Sequence, residues 1–289
     1  MLNYNQIQDY FTLCKPKVIL VMLVTTWVGM HLATPGAVPL HVIIFGTLGI
    51  ALAGGCAAVI NHLVDRHVDA KMSRTEYRPI ACGRITPRAA FLFSISLGIT
   101  GLLILCLWIN PLTALLTLMT IVGYAAFYTL FLKRATPQNI VIGGAAGATP
   151  PLLGWTAVSD EISAYALLPV LIIFTWTPPH FWALAIYRRN DYAKANIPML
   201  PVTHGVKFTK LCIVLYTFLL WVTSLLPYAT GMSGLIYFFL ALILGGAFLI
   251  QTLVLYQTNS EQVALKTFSF SIAYLLLLFI SLLVDHYIN

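Results

Sequence analysis

The chain has 289 residues, 60% hydrophobic and only 9% charged, with 16 Lys and Arg against 9 Asp and Glu and a net charge of +7. Length alone would allow two soluble domains, but this composition and a mean hydropathy of +0.88 exclude them. They describe one polytopic, all-α membrane domain over residues 1–289, whose positive charge reports orientation rather than nucleic-acid binding.

Residues 1–17 are polar and offer no small-residue cleavage site behind a short apolar core, so the first span is expected to stay in the mature chain. Nine apolar runs follow, each near the roughly twenty residues needed to cross about 30 Å of hydrocarbon. They cover approximately 18–34, 40–60, 89–109, 112–132, 140–156, 164–187, 211–228, 234–256 and 267–285. Runs this long are helices, because lipid leaves backbone groups no other way to be satisfied outside a closed barrel. Laid out on nine spans, all 16 basic residues fall at the N-terminus or in the even-to-odd connections. The opposite connections hold Asp160, Glu161 and Asp285 and no Lys or Arg. The positive-inside rule then puts the N-terminus in the cytoplasm and the C-terminus outside.

The second span ends in Ala53-Gly54-Gly55-Cys56-Ala57-Ala58, small residues that let helices approach closely. It runs into Asn61-x3-Asp65-x3-Asp69, three oxygen-bearing side chains on one helical face along roughly 12 Å of axis. A long basic loop follows, so that residues 61–88 form a candidate active-site segment. Asn110-Pro111 is a tight turn between the third and fourth spans. In the fifth, Gly143-Gly144-Ala145-Ala146-Gly147-Ala148-Thr149-Pro150-Pro151 either packs closely on a neighbour or leaves room for a broad ligand. Pro178 and Pro179 are expected to break or kink the sixth span, just before His180, Phe181 and Trp182. A second charged cluster, Tyr187-Arg188-Arg189-Asn190-Asp191-Tyr192-Ala193-Lys194, opens a second candidate segment over 187–210. The last three spans are chemically quiet. The five cysteines form no CxxC, which argues against a structural disulfide or a zinc site.

Carboxylates as close as Asp65 and Asp69 repel unless a cation sits among them. Mg2+ fits, since it takes oxygen ligands and bridges one or two carboxylates to a substrate phosphate. The alternative is a solvated helix end whose acids pair with Arg66, Lys71 and Arg74. Both clusters mix acids with an excess of bases, which suits a metal-bound polyphosphate held by carboxylates and guanidinium forks. A membrane setting implies a lipidic other half to that substrate.

Asn61-x3-Asp65-x3-Asp69, an acidic patch after the sixth span, and nine helices resemble the UbiA-type intramembrane prenyltransferase superfamily. Gly54-Gly55-Cys56, Ile60-Asn61, Asp65-Arg66-x2-Asp69-x2-Met72-x-Arg74-Thr75-x2-Arg78-Pro79, Thr177-Pro178-Pro179-His180-Phe181-Trp182 and Asn196-Ile197-Pro198-Met199-Leu200-Pro201 are similar to its heme-farnesylating branch. The likeness covers nearly the whole chain. The superfamily's second motif usually carries two acids four apart; here Tyr187 stands four before Asp191, which puts a full second metal site in doubt.

The resemblance implies transfer of farnesyl from farnesyl diphosphate to a vinyl group of heme B, inside a bacterial inner membrane and on its cytoplasmic side. It also implies downstream heme-modifying or terminal-oxidase assembly partners. Asp65, Asp69 and Asp191, assisted by Asn61, are then expected to hold Mg2+ on the diphosphate. Arg66, Lys71, Arg74, Arg78, Arg188, Arg189 and Lys194 are expected to bind the leaving group or heme propionates. Phe181, Trp182 or Tyr187 would screen the allylic cation from water. Of seven histidines, His62, His67, His180 and His204 fall on the cytoplasmic side, and His180 is the first choice to meet heme iron. The competing role for each is ordinary structure: an orientation signal, a lipid-headgroup contact, a hydrogen-bonded imidazole.

A transporter is the alternative of another class, but it would place ionisable groups at mid-membrane, and no span has one in its middle. Lys71-x6-Arg78-Pro79 matches the first motif of a lipid phosphatase, whose later Ser-Gly-His and Ser-Arg blocks are absent. A UbiA-type enzyme acting on another aromatic acceptor is the nearer alternative.

Overall fold

A computed structural model of the chain describes residues 4–73 and 75–288; Arg74, one of the predicted diphosphate-binding residues, lies outside them. The described residues are helical with turns between, and contacts group them into two compact units: Met1–Leu132 with Leu153–Glu161, and Lys133–Leu152 with Ile162–Asn289.

The first unit holds α1 (Tyr4–Leu13), α2 (Pro16–Leu32), α3 (Leu40–Asp69), α4 (Pro87–Trp108), α5 (Pro111–Val122) and a π-helix, Gly123–Leu132, that continues α5. Pro16 opens α2, Pro87 opens α4 and Pro111 opens α5, at first-turn positions where a missing N–H costs nothing. Asn110 caps α5 by accepting from Thr113 N at 2.7 Å, as the Asn-Pro turn predicts. The α3–α4 seam is glycine-bound: a Cβ on Gly101 would sit 2.7 Å from the carbonyl oxygen of Gly49. Lys15 breaks α1 from α2 in a left-handed conformation, φ 52°, and the two helices bend by 48°.

The second unit holds α6 (Lys133–Ala135) and α7 (Asn139–Gly147), then the start of α8 (Pro150–Ser159), which contributes residues to both units. It continues with α9 (Ala164–Tyr187), α10 (Arg189–Lys194), α11 (Leu200–Thr203), α12 (Gly205–Ser224), α13 (Leu226–Ala229), α14 (Leu235–Gln257) and α15 (Glu261–Ile288). α9 packs on α7, α12 and α15, and α14 on α12 and α15. The buried Asp285 near the end of α15 accepts from the backbone N–H groups of Gly234 and Tyr237, so it holds the start of α14 rather than lying in a connection. Lys210 in α12 donates to the carbonyl of Thr258 just past the other end of α14.

Among the described residues seven helices are long and apolar enough to cross a membrane, or eight if the bent α1–α2 pair counts as one span. The expected fifth span accounts for part of the difference from nine. It is divided into α7 and α8 at Ala148 and Thr149, where Pro150 and Pro151 supply no amide donors to continue α7. Of the break or kink expected at Pro178 and Pro179, the break is not there: α9 is assigned as one helix through both. The hydroxyl of Thr175 donates to Leu171 O and Ile172 O, and that of Thr177 to Ile173 O at 2.8 Å, adding hydrogen bonds in the turn before the prolines. Gly144 of α7 is in tight contact, since a Cβ there would lie 3.0 Å from Thr177 Cγ2, whereas Gly147 has open space around it. Close packing thus explains one of these two glycines and not the other.

Candidate functional site

α3 extends helically through Asp69, well past the end of its apolar run, and this brings the first motif onto one face. Asn61, Asp65 and Asp69 are all buried there, at 4%, 1% and 4% exposure. Burying a carboxylate costs several kcal/mol unless cations or donors compensate, and the compensation is visible. Lys15 Nζ donates to Asn61 Oδ1 at 2.7 Å, and Asn61 Nδ2 donates to Asp65 Oδ2 at 3.1 Å and to Thr129 Oγ1 at 3.4 Å. The ammonium therefore fixes which way the Asn61 amide faces, with its N–H groups toward the carboxylate.

Thr129 is delivered by the π-helix, an uncommon geometry that recurs at functional sites. Arg78 Nη1 donates to both oxygens of Asp69, at 2.9 and 2.8 Å, and Thr75 Oγ1 donates to the Asp69 carbonyl at 3.0 Å. The loop after α3 is thereby folded back onto its own motif. Its far end is tied to α1, where Arg84 Nε donates to both oxygens of Asp9. That hydrogen bond raises the Arg84 pKa, with desolvation opposing it.

The other bases of the first cluster are not all drawn in. Arg66 Nη1 turns back to Leu63 O at 2.9 Å, capping its own helix rather than reaching an acid, and Lys71 is exposed. Lys15 and Thr129 are the contributors that sequence reasoning missed. In the sequence Lys15 is one of the basic residues at the N-terminus, and nothing local marks its reach to a residue 46 positions away.

In the second unit α9 ends at Tyr187 and α10 begins at Arg189. Tyr187, Arg188, Asn190, Asp191 and Glu261 line a cleft of about 250 Å³. Arg188 Nη1 lies 3.7 Å from Asp191 Oδ2, and its guanidinium sits over the Tyr187 ring, 4.9 Å from the centroid. Glu261, from the first turn of α15, brings a second acid to this cleft beside Asp191. Arg189 and Lys194 are exposed. Trp182 is buried against Tyr216, with ring centroids 5.3 Å apart, and so packs rather than lining the cleft.

His180 is buried in α9 among aromatic rings: Trp176 at 4.1 Å and Phe268 at 4.5 Å, both stacked, and Phe181 edge-on at 4.8 Å. Its Nδ1 lies 2.7 Å from Ser271 Oγ. Trp176 Nε1 donates to the carbonyl of the same serine at 2.8 Å.

The oxygen donors of the first motif fit a hard divalent cation by their chemistry. Among the described residues no three of His, Cys, Asp and Glu gather as a ready-made cage. Mg2+ keeps water and substrate phosphate in its shell alongside one or two carboxylates. Asn61 Oδ1 is engaged by Lys15, and both Asp69 oxygens by Arg78, so these two ligands would be shared with basic side chains.

The UbiA prenyltransferase family profile matches residues 22–283. Protoheme IX farnesyltransferase of Legionella pneumophila (strain Lens) is 61% identical over 280 residues, covering 97% of this chain and 95% of that one. That of Teredinibacter turnerae is 60% identical over 281 residues, covering 97% and 90%. A structure from work on digeranylgeranylglyceryl phosphate synthase in membranes superposes with a TM-score of 0.82 at 18% identity, over 98% of this chain and 99% of that one. A UbiA homologue from Archaeoglobus fulgidus, bound to GPP and Mg2+, gives 0.65 at 18% over 95% and 99%. At such identity the two structures speak to the fold, while the relatives and the profile speak to lineage. With its helical membrane fold and its buried acidic motif, the chain belongs to the UbiA prenyltransferase family and is a prenyltransferase.

Proposed function

We propose that this enzyme transfers the farnesyl group of farnesyl diphosphate to a vinyl group of heme B, with water completing a hydroxyethylfarnesyl side chain. The observation that carries the diphosphate half is the buried Asn61, Asp65 and Asp69 face at the end of a membrane helix, with Lys15 and Arg78 on it. Purely structural helix ends do not need two buried carboxylates. The heme half is supported by near-full-length likeness, at about 60% identity, to proteins named protoheme IX farnesyltransferase.

Asp65, Asp69 and Asp191 would be the carboxylates that hold Mg2+, and Asn61 orients Asp65 by hydrogen bonding. When bound, the cation neutralises charge developing on the departing diphosphate. Arg78 and Lys15, then Arg188 from the second cluster, donate to diphosphate oxygens and lower the barrier to ionisation. Arg66, Lys71, Arg74, Arg189 and Lys194 supply the surrounding positive field. Tyr187 and Phe181 shield the allylic cation from water until the vinyl group attacks it. The chain acts as one catalytic domain of nine membrane segments, with the divided α7–α8 stretch as the fifth. Its basic connections and active site are in the cytoplasm, in a bacterial inner membrane.

Purified protein incubated with Mg2+, farnesyl diphosphate and heme B should yield a porphyrin heavier by farnesyl and a hydroxyl group, seen by mass spectrometry. Transfer should stop in EDTA and return with added Mg2+. Product formed at full rate in chelator would refute the cation step, and no farnesylated porphyrin under any condition would refute the acceptor.

A further inference from the structure

The contacts of His180 favour one protonation pattern. Ser271 Oγ is 2.7 Å from His180 Nδ1 and 2.7 Å from the carbonyl oxygen of Phe268, to which its hydroxyl donates. A serine hydroxyl has one proton and a carbonyl has none. Each short contact is a full hydrogen bond, with a proton of its own, only if the imidazole is the other donor. The arrangement that satisfies both therefore puts the proton on Nδ1 and leaves Nε2 with an unshared electron pair. The opposite tautomer would take the serine proton away from Phe268 and leave one hydrogen bond where there are now two.

The rest of the surroundings hold the ring still. Trp176 and Phe268 stack on its two faces, with interplanar angles of 21° and 29°. The Trp176 indole N–H is itself anchored on the Ser271 carbonyl at 2.8 Å. Ser271, fully buried in α15, thus pins both the imidazole and one of the rings against it. A ring fixed in plane and tautomer, with a carbonyl-linked acceptor on Nδ1–H, has the arrangement that makes histidine a strong and directed donor to a metal.

We propose that His180 Nε2 ligates the iron of the porphyrin substrate and that Ser271 is the positioning residue that makes it able to. Coordination uses the existing lone pair, so no proton leaves the ring and no oxidant or reductant is needed. The vinyl group that reacts lies at the porphyrin edge; the iron bond serves to orient that edge, and the Ser271 contact sets the direction of the bond. This rests on the reading that heme B is the acceptor.

The test uses the full-length enzyme in nanodiscs, titrated with heme B alone. Resonance Raman of the ferrous complex reads the iron–imidazole stretch, and a ferric titration reads affinity. Wild type should show the stretch, and His180→Ala should lose it. Ser271→Ala should lower the stretching frequency, because Nδ1–H loses its acceptor, and weaken heme binding by about 10–100-fold. Ser271→Thr should restore both. Unchanged binding of farnesyl diphosphate would show that each variant is folded; should Ser271→Ala fail that check, the near-isosteric Ser271→Cys, a weak acceptor, serves in its place.

Ser271→Ala matching wild type in frequency and affinity would overturn the positioning role. A wild-type heme complex without the stretch, in an enzyme that still makes farnesylated porphyrin, would overturn the ligation and leave the proposed function standing. Wild type that neither binds heme nor makes product would overturn both.

Discussion

Lys15 is the residue whose chemistry departs most from its local context. Its left-handed backbone is an unfavourable place for a residue with a Cβ, and it sits where its ammonium reaches Asn61. With the Asn61 amide held in one orientation, Asp65 gains a donor that does not compete with a cation for charge. Lys15→Met, which keeps most of the stem and removes the charge, should lower turnover by about tenfold, roughly 1.4 kcal/mol of transition-state stabilisation. Steady-state rates of pyrophosphate release check it. Asp65→Asn keeps shape and removes charge, so it should abolish pyrophosphate release while leaving the protein folded by size-exclusion chromatography and thermal melting; wild-type release would take Asp65 out of the site. Both changes act on one hydrogen-bonded chain, so the double variant should be no worse than Asp65→Asn alone.

Among the helices, hydropathy made the long ones legible, since a run near twenty apolar residues has few alternatives in lipid. The spacing of Asn61, Asp65 and Asp69 was equally plain, because a helix turns that arithmetic directly into a face. What stayed hidden depends on contacts far apart in sequence. Glu261 meets the Asp191 cleft from another helix, and Ser271 meets His180 across 91 positions. The prolines act differently in the two places: Pro150 and Pro151 divide a stretch that reads as continuous, and α9 carries its helix through Pro178 and Pro179 without a break. Gly144 and Gly147 separate by a measurement that their shared small-residue pattern could not make. Gly144→Val should crowd Thr177 and cost about 1–3 kcal/mol, read as a lowered thermal midpoint, while Gly147→Ala should leave the midpoint within error of wild type.

For the molecule as a whole, charge distribution supports the proposed orientation: the connection between α3 and α4 carries a dense group of Lys and Arg, which the positive-inside rule assigns to the cytoplasmic side. Cys82 in that connection is exposed and gives a native reporter. A membrane-impermeant maleimide should label Cys82 in inside-out vesicles and spare it in intact spheroplasts. A Cys82→Ser control separates its signal from the exposed Cys106. Labelling from the outer face would invert the proposed topology and move the acidic motif with it.

The π-helix of Gly123–Leu132 makes this scaffold sensitive to length in an unusual way. Each residue of an α-helix turns the chain by about 100°, and each residue of this wider winding by less, so the same residues rewound as an α-helix would carry the Thr129 hydroxyl away from Asn61 unless one residue were removed to restore the phase. The wide-turn winding is therefore a matter of phase: it sets the angular register in which one threonine meets the motif, and tidier local geometry would come with a mis-aimed side chain.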